Sequence, residues 1–357
     1  MPTNPLDVAD LRDRVQKSLA AFLDEQVVHL DGIAPELDAV SETLRAFLLH
    51  GGKRLRPAFC YWGWRGAGGP DVDEIVTAAA ALELLQACAL IHDDVMDGSD
   101  TRRGRPAVHR AFATLHRGAS WLGDPEAFGR SAAILLGDLC HVWADQLLNS
   151  SGLDPAALRR AAPVYDVMRV ELMAGQYLDV VEQALGGRDV ERALHVARYK
   201  SAKYTIERPL HLGGVLAGAG PDALAAYTGY GLPLGEAFQL RDDVLGVFGD
   251  PDVTGKPAGD DLREGKRTAL VAMATERALP AQAALLRRHL GDPGLDDAGV
   301  AELRAVIAAS GALEAVERLI ETRTAAALAA LADARGLDPV AAEVLRDLAV
   351  AATSRHG

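Results

Sequence analysis

The sequence predicts an all-α protein, and three observations carry that prediction. Apolar residues recur at helical spacing through nearly every segment, alanine and leucine dominate while aromatics make up 5%, and glycine and proline gather mostly between the periodic stretches. No strand is expected. No Ser- or Pro-rich linker, low-complexity tract or fixed-period repeat interrupts the 357 residues, which favours one large helical bundle over 1–357 rather than a solenoid or linked domains.

The first helices are expected near 8–28 and 35–49, the second running up to Gly51-Gly-Lys-Arg-Leu-Arg-Pro57, a loop and basic helix start. Pro70 and Asp71 signal the next, from about Val72 to Val95, on which Ala78, Leu82, Leu85 and Ala89 form one stripe. A helix near 105–118 runs into the most loop-like stretch, Gly118 to Gly129 with Trp121, Asp124 and Pro125, and another is expected near 128–149. Helices near 155–184 and 188–206 flank Gly186-Gly187. Gly218-Ala-Gly-Pro221 opens a helix near 221–248 that Gly249-Asp-Pro251 closes. Helices near 262–290, 298–310 and 312–334, and a last one to about 353, complete the chain.

Composition narrows the function. With 49% apolar and 24% charged residues the chain has the balance of a packed globular protein, and its net charge of −13 repels a phosphate backbone, so no nucleic-acid partner is expected. Met1 to Leu19 carries Asp7, Asp10 and Asp13 and lacks the apolar run of a secretory signal. Asp73, Glu74 and Glu83 punctuate even the richest apolar segment, so no membrane span is expected. Cys60, Cys88 and Cys140 are odd in number and form no CxxC, which suits buried free thiols and a cytoplasmic location.

The chemistry gathers at helix ends. Ile91-His-Asp-Asp-Val-Met-Asp97 closes the apolar helix; Asp93 and Asp97 stand four apart, so a helix sets both carboxylates on one face with Asp94 beside them. Carboxylates this crowded repel unless a cation sits among them. Mg²⁺ is the natural ion, because it takes oxygen ligands and is held by one or two carboxylates together with substrate phosphates. Taken alone, the motif is equally an acidic, solvated helix end. A second cluster, Gln239-Leu-Arg-Asp-Asp243, again places paired aspartates late in an apolar helix. Two such ends facing each other would clamp a polyanion such as a diphosphate through shared metal ions. The cations that a polyanion needs are present in Gly51-Gly-Lys-Arg-Leu-Arg-Pro57, in Arg102 and Arg103, in Gly255-Lys256 and in Gly265-Lys-Arg-Thr268.

In this order and spacing, from about residue 40 to 270, these motifs resemble the trans-isoprenyl diphosphate synthases of the polyprenyl synthetase family; 271–357 is compatible helix. The resemblance implies an isoprenoid synthase bundle around a central cavity, several Mg²⁺ ions per site and a homodimer. It implies a prenyltransferase that joins isopentenyl diphosphate head to tail to an allylic diphosphate. The allylic carbon–oxygen bond breaks, pyrophosphate leaves with the electron pair, the double bond of isopentenyl diphosphate attacks the carbocation, and a proton is lost. Carried over by position, Asp93, Asp97 and Asp242 would ligate Mg²⁺, and Arg102, Lys200, Lys256 and Lys266 would contact the allylic diphosphate. Lys53, Arg56, Gln86 and Arg103 would anchor isopentenyl diphosphate, and Ser201 and Gln239 would offer dipoles to the developing cation. Gln176 and Asp179 resemble a further family motif. His92, with no second His at ligand spacing, is expected to pack or hydrogen-bond; Lys203 shares a helical face with Lys200, and Trp62, Trp64 and Trp143 are expected as core or interface anchors.

Two departures stand out. Gly246 occupies the position of the family's third Asp, and it is expected to be a tolerated gap, so that Gly246→Asp changes turnover little; Ser201 replaces Thr and keeps the hydroxyl. Product length is expected to follow the positions one and two turns before Asp93. Farnesyl-producing relatives resemble one another in bulky aromatics at the fourth or fifth position before Asp93, where this chain has Ala89 and Cys88, which points to geranylgeranyl diphosphate. Leu85, the eighth, or a residue of a neighbouring helix is expected as the floor against longer products. A terpene cyclase would carry a different second motif and no second-substrate anchor, and a non-catalytic partner subunit would have lost ligands that this chain keeps.

Overall fold

The computed structural model describes residues 4–187, 189–250, 259–292 and 294–353, and within them the backbone is almost wholly helical, as the periodicity predicts. The helices group into two compact units, Met1–Tyr61 with Pro70–Leu158, and Trp62–Gly69 with Arg159–Gly357.

The first unit contains α1 (Leu11–Asp31), α2 (Asp38–Leu49), the first half of α3 (Leu55–Gly66), α4 (Asp73–Asp97), α5 (Val108–Gly118) and α6 (Pro125–Asn149). Helix α4 is its axis. Ile75, the run Ala78-Ala-Ala-Ala81, Leu82, Leu84 and Leu85 are all fully buried, so the helix is apolar on every side and α1 and α6 pack against it. Four small residues in succession let those neighbours approach closely. The acids stand at its ends with Glu83 between them, which leaves α4 long and apolar enough to cross a bilayer; 72% of its most apolar window is instead buried inside the protein. Phe22 of α1 meets Trp143 of α6 edge to face at 6.1 Å, and Cys60, Cys88 and Cys140 are buried free thiols, as expected.

The absence of strands does not hold. Thr101–Arg102 pairs antiparallel with Arg105–Pro106, and the two residues between, Arg103 and Gly104, both take positive φ, 54° and 71°. That is the backbone a two-residue hairpin demands. Strands of two residues are too short to leave a period-2 pattern, and α5 starts at Val108 rather than 105.

The second unit holds most of α7 (Pro155–Leu185), α8 (Val190–Ala197), a π-helical segment (Arg198–Glu207), α9 (Arg208–Leu216), α10 (Pro221–Phe248) and the helices that follow it. Helix α10 is buried along most of its length and packs on Ala312–Asp333 and on the π-helical segment. Tyr227 and Tyr230, both fully buried, satisfy their hydroxyls on Gly63 O (2.7 Å) and Leu345 O (2.6 Å). The expected helix 188–206 continues through the π segment to Leu216. The expected helix 262–290 breaks into Asp260–Arg263, Ala269–Arg277 and Pro280–His289, punctuated by Gly265 at φ 76°, the Thr268 N-cap and Pro280.

Candidate active site

In the first unit the last turn of α4 presents Asp93 and Asp97, both half-buried, and ends at Gly98 in the left-handed conformation. Asp94 is fully buried and has a different task. Arg102 Nε donates to Asp94 Oδ1 at 2.9 Å, Arg102 Nη2 bonds the same oxygen, and that nitrogen lies 3.8 Å from Asp93 Oδ2. The middle aspartate thus ties the hairpin to the acidic turn and holds Arg102 beside Asp93. His92 is a packing residue: its Nε2 lies 3.0 Å from Ile134 O, and its ring fills the space against Gly137, where a Cβ would overlap it.

The hairpin sends its two arginines to different places. Arg103 turns away from the acids: its Nη1 donates to Phe47 O (3.3 Å) and His50 O (3.4 Å), and its guanidinium lies 5.7 Å from the Phe47 ring centre. It lines a cleft with Phe47, Leu48, Arg54, Glu83, Gln86 and Ala87. Burial lowers the Arg103 pKa, Arg54, Arg102 and Arg56 lower it further, and Glu83 opposes them. The structure therefore gathers Gln86, Arg56 and Arg103 in one cationic neighbourhood, with Lys53 exposed at its edge after Gly51 and Gly52, which take φ of 78° and 94°. Arg54 and Glu83, one buried ion pair, escape sequence reasoning, since a pairing across 29 residues has no periodic trace.

Cys88 is 1% exposed, with its Sγ 3.8 Å from His92 Nδ1; burial and, next, Asp138 of α6 push its thiol up to about 12. Leu85 is fully buried and Ala89 half-buried.

In the second unit Lys200 and Ser201 lie on the π-helical segment, seated by glycines: a Cβ on Gly175 of α7 would overlap the Lys200 backbone, and one on Gly235 of α10 the Ala202 backbone. Lys200 Nζ reaches Asp179 Oδ2 at 2.7 Å, whereas Lys203 pairs with Glu171 (3.0 Å) and Glu207 (3.2 Å), so the two lysines serve different partners. Gln239 Nε2 donates to Asp243 Oδ1 at 2.8 Å. Asp243 is buried, and burial together with Asp261, Asp242 and Asp179 raises its pKa to about 7 against the pull of the Gln239 bond. Asp242 is half-buried, and Lys266 pairs with Glu264 (2.7 Å) and Asp261 (3.7 Å). Lys256 lies outside the described residues.

Gly246 is not an open gap. A Cβ there would overlap the Asp261 carboxylate, so Asp261, from beyond α10, occupies the space that an aspartate side chain would need. The expectation that the chain works without the third Asp is untouched by this, but Gly246→Asp has to move the Asp261 carboxylate aside, so the expectation of little change on that substitution is revised.

The donors fit Mg²⁺ by their chemistry, since Asp93, Asp97 and Asp242 offer carboxylate oxygens. Among the described residues no group of three His, Cys, Asp or Glu side chains is arranged to hold a metal ion by itself.

Residues 38–307 match the family described as polyprenyl synthetase. The chain belongs to the polyprenyl synthetase family. It is a prenyltransferase of the diphosphate synthase type. This polyprenyl synthetase is similar to the geranylfarnesyl diphosphate synthase of Aeropyrum pernix, 33% identical over 83% of this chain and 87% of that protein. It is also similar to the geranylgeranyl diphosphate synthase of Mycobacterium tuberculosis, 34% identical over 79% of this chain and 75% of the other. The crystal structure of geranylgeranyl pyrophosphate synthase from Corynebacterium glutamicum, complexed with isoprenyl diphosphate and magnesium, superposes with a TM-score of 0.93 at 45% identity, covering 97% of this chain and 99% of that one.

Proposed function

We propose that this polyprenyl synthetase condenses isopentenyl diphosphate with an allylic diphosphate and releases geranylgeranyl diphosphate and pyrophosphate. The observation that carries the proposal is the hairpin, which gives Arg102 to the acidic turn and Arg103 to a separate cationic cleft. A second cationic cleft apart from the acidic turn supports a second diphosphate and so a two-substrate transferase. In this reading Asp93, Asp97 and Asp242 hold Mg²⁺ against the allylic diphosphate, assisted by Arg102, Lys200, Lys256 and Lys266. When bound, the metal supplies positive charge that stabilises the departing pyrophosphate. Lys53, Arg56, Gln86 and Arg103 anchor isopentenyl diphosphate, and Ser201 and Gln239 aim dipoles at the developing cation.

Leu85, Cys88 and Ala89 set the product length: none is aromatic, and the similar Corynebacterium protein makes a geranylgeranyl product by its name. Residues 1–357 act as one synthase domain in this reading. A cytoplasmic location is supported by three buried free thiols, and a homodimer by Ile134, Leu135 and Val142, apolar and exposed on α6.

Chromatography of products made from isopentenyl diphosphate and primers of increasing length tests the whole. A twenty-carbon product is expected, EDTA should silence the enzyme, and Asp93→Ala should cut turnover by roughly a thousandfold, about 4 kcal/mol of transition-state stabilisation, with the fold intact. Full activity without metal would sink the proposal.

A further inference from the structure

Arg54 lies inside the most recognisable basic motif of the chain, yet its side chain is committed elsewhere. The residue is 5% exposed and held at φ 55°, a backbone region that non-glycine residues rarely adopt. Its Nη1 donates to Glu83 Oε2 at 2.5 Å, and its Nη2 donates to Gln16 Oε1 at 2.8 Å and to Leu48 O at 2.6 Å. Three elements, α1, α2 and α4, thus converge on one guanidinium. Glu83, also 5% exposed, stands three residues before Gln86 on α4, and both line the cleft with Arg54 and Arg103.

The pair shapes what surrounds it. Gly52, at φ 94°, runs so close to the two guanidiniums that a Cβ there would lie 3.3 Å from both Arg54 Nη1 and Arg103 Nη2. The backbone that presents Lys53 is therefore threaded past Arg54. Glu83 is also the acid that faces Arg54 and Arg103, whose neighbours Arg56 and Arg102 add more positive charge. Gln86 Oε1 is buried and has no hydrogen-bond partner among the described residues, so the amide beside this pair keeps an unmet acceptor.

We propose that Arg54 and Glu83 are a positioning pair: their buried ion pair fixes the course of Gly51 to Lys53 and the spacing of Lys53, Arg56, Gln86 and Arg103 around the diphosphate of the second substrate, without touching that substrate. The proposal rests on this cleft being the isopentenyl diphosphate site. A positioning role differs from a purely structural one in what its loss does. Misplaced anchors weaken one substrate, whereas a weakened fold lowers every parameter together.

Steady-state kinetics with each substrate varied in turn, paired with thermal melts, tests this on the full-length enzyme. Glu83→Gln and Arg54→Lys are expected to raise the KM for isopentenyl diphosphate by roughly tenfold while the allylic KM and kcat stay within about twofold. The double variant Arg54→Met/Glu83→Leu removes both buried charges, a replacement that commonly preserves stability. It leaves Gln16 Oε1 and Leu48 O without their donor but no buried charge unpaired, so it is expected to stay folded and still bind isopentenyl diphosphate poorly, which keeps the test decisive if a single variant fails to fold. An unchanged isopentenyl diphosphate KM in any folded variant, or a double variant that recovers KM along with its melting temperature, overturns the proposal. A wild type that does not consume isopentenyl diphosphate defeats the functional reading itself, before any variant is compared.

Discussion

At Gly246 the absence of a side chain leaves room beside the second acidic cluster. The Asp261 carboxylate fills the place of a side chain there, beside Asp243, whose burial already raises its pKa to about 7. Gly246→Asp must displace Asp261 and add a further carboxylate to groups that repel, so turnover is expected to fall by roughly tenfold or more, about 1.4 kcal/mol. Gly246→Ala should lose activity as well, because the overlap begins at Cβ; wild-type rates in both variants would show that Asp261 swings aside at no cost. Product length offers a second test. Cys88 is packed tightly enough that a phenylalanine there overpacks the core, whereas Ala89 is half-buried, so Ala89→Phe is the cleaner probe. It should move the products from twenty carbons towards fifteen in a folded enzyme, and an unchanged distribution would remove this face of α4 from length control. Asp93, Asp97 and Asp242 stand out in the sequence because charge at or near the end of an apolar helix is conspicuous, and the arginine pair because it follows the first of these clusters. The tasks of Asp94, Asp261 and Glu83 were not legible there, because each depends on a neighbour brought in by folding.

Among the elements, α4 shows what periodicity reveals and conceals. Its existence and extent follow from apolar spacing and its start signal, but burial on every side left its one-stripe description too narrow. The π-helical segment Arg198–Glu207 was hidden for a different reason: its wider turn has no signature in a 3.6-residue pattern, and its support comes from Gly175 and Gly235 on other helices. Gly175→Ala puts a methyl group into the Lys200 backbone. A destabilisation of about 1–3 kcal/mol is expected, together with a fall in kcat, because Lys200 and Ser201 must shift with the segment. Thermal melts and steady-state rates check both, and a variant that loses neither would show that the segment tolerates displacement.

For the whole molecule, the proposed dimer makes a direct prediction. Ile134, Leu135 and Val142 of α6 are 46%, 66% and 59% exposed, and Leu135→Glu should convert the dimer to a monomer in analytical ultracentrifugation, whereas an unchanged sedimentation coefficient would place the interface elsewhere. Helix α4 has a consequence for the birth of the protein. Its main cover, α6, follows it in the chain and ends only at Asn149, so at about 5–20 residues per second the ribosome delivers that cover roughly 3–10 s after Asp97. During this interval the nascent chain displays a long apolar segment without its main cover, so α4 is a stretch that gains from protection during synthesis.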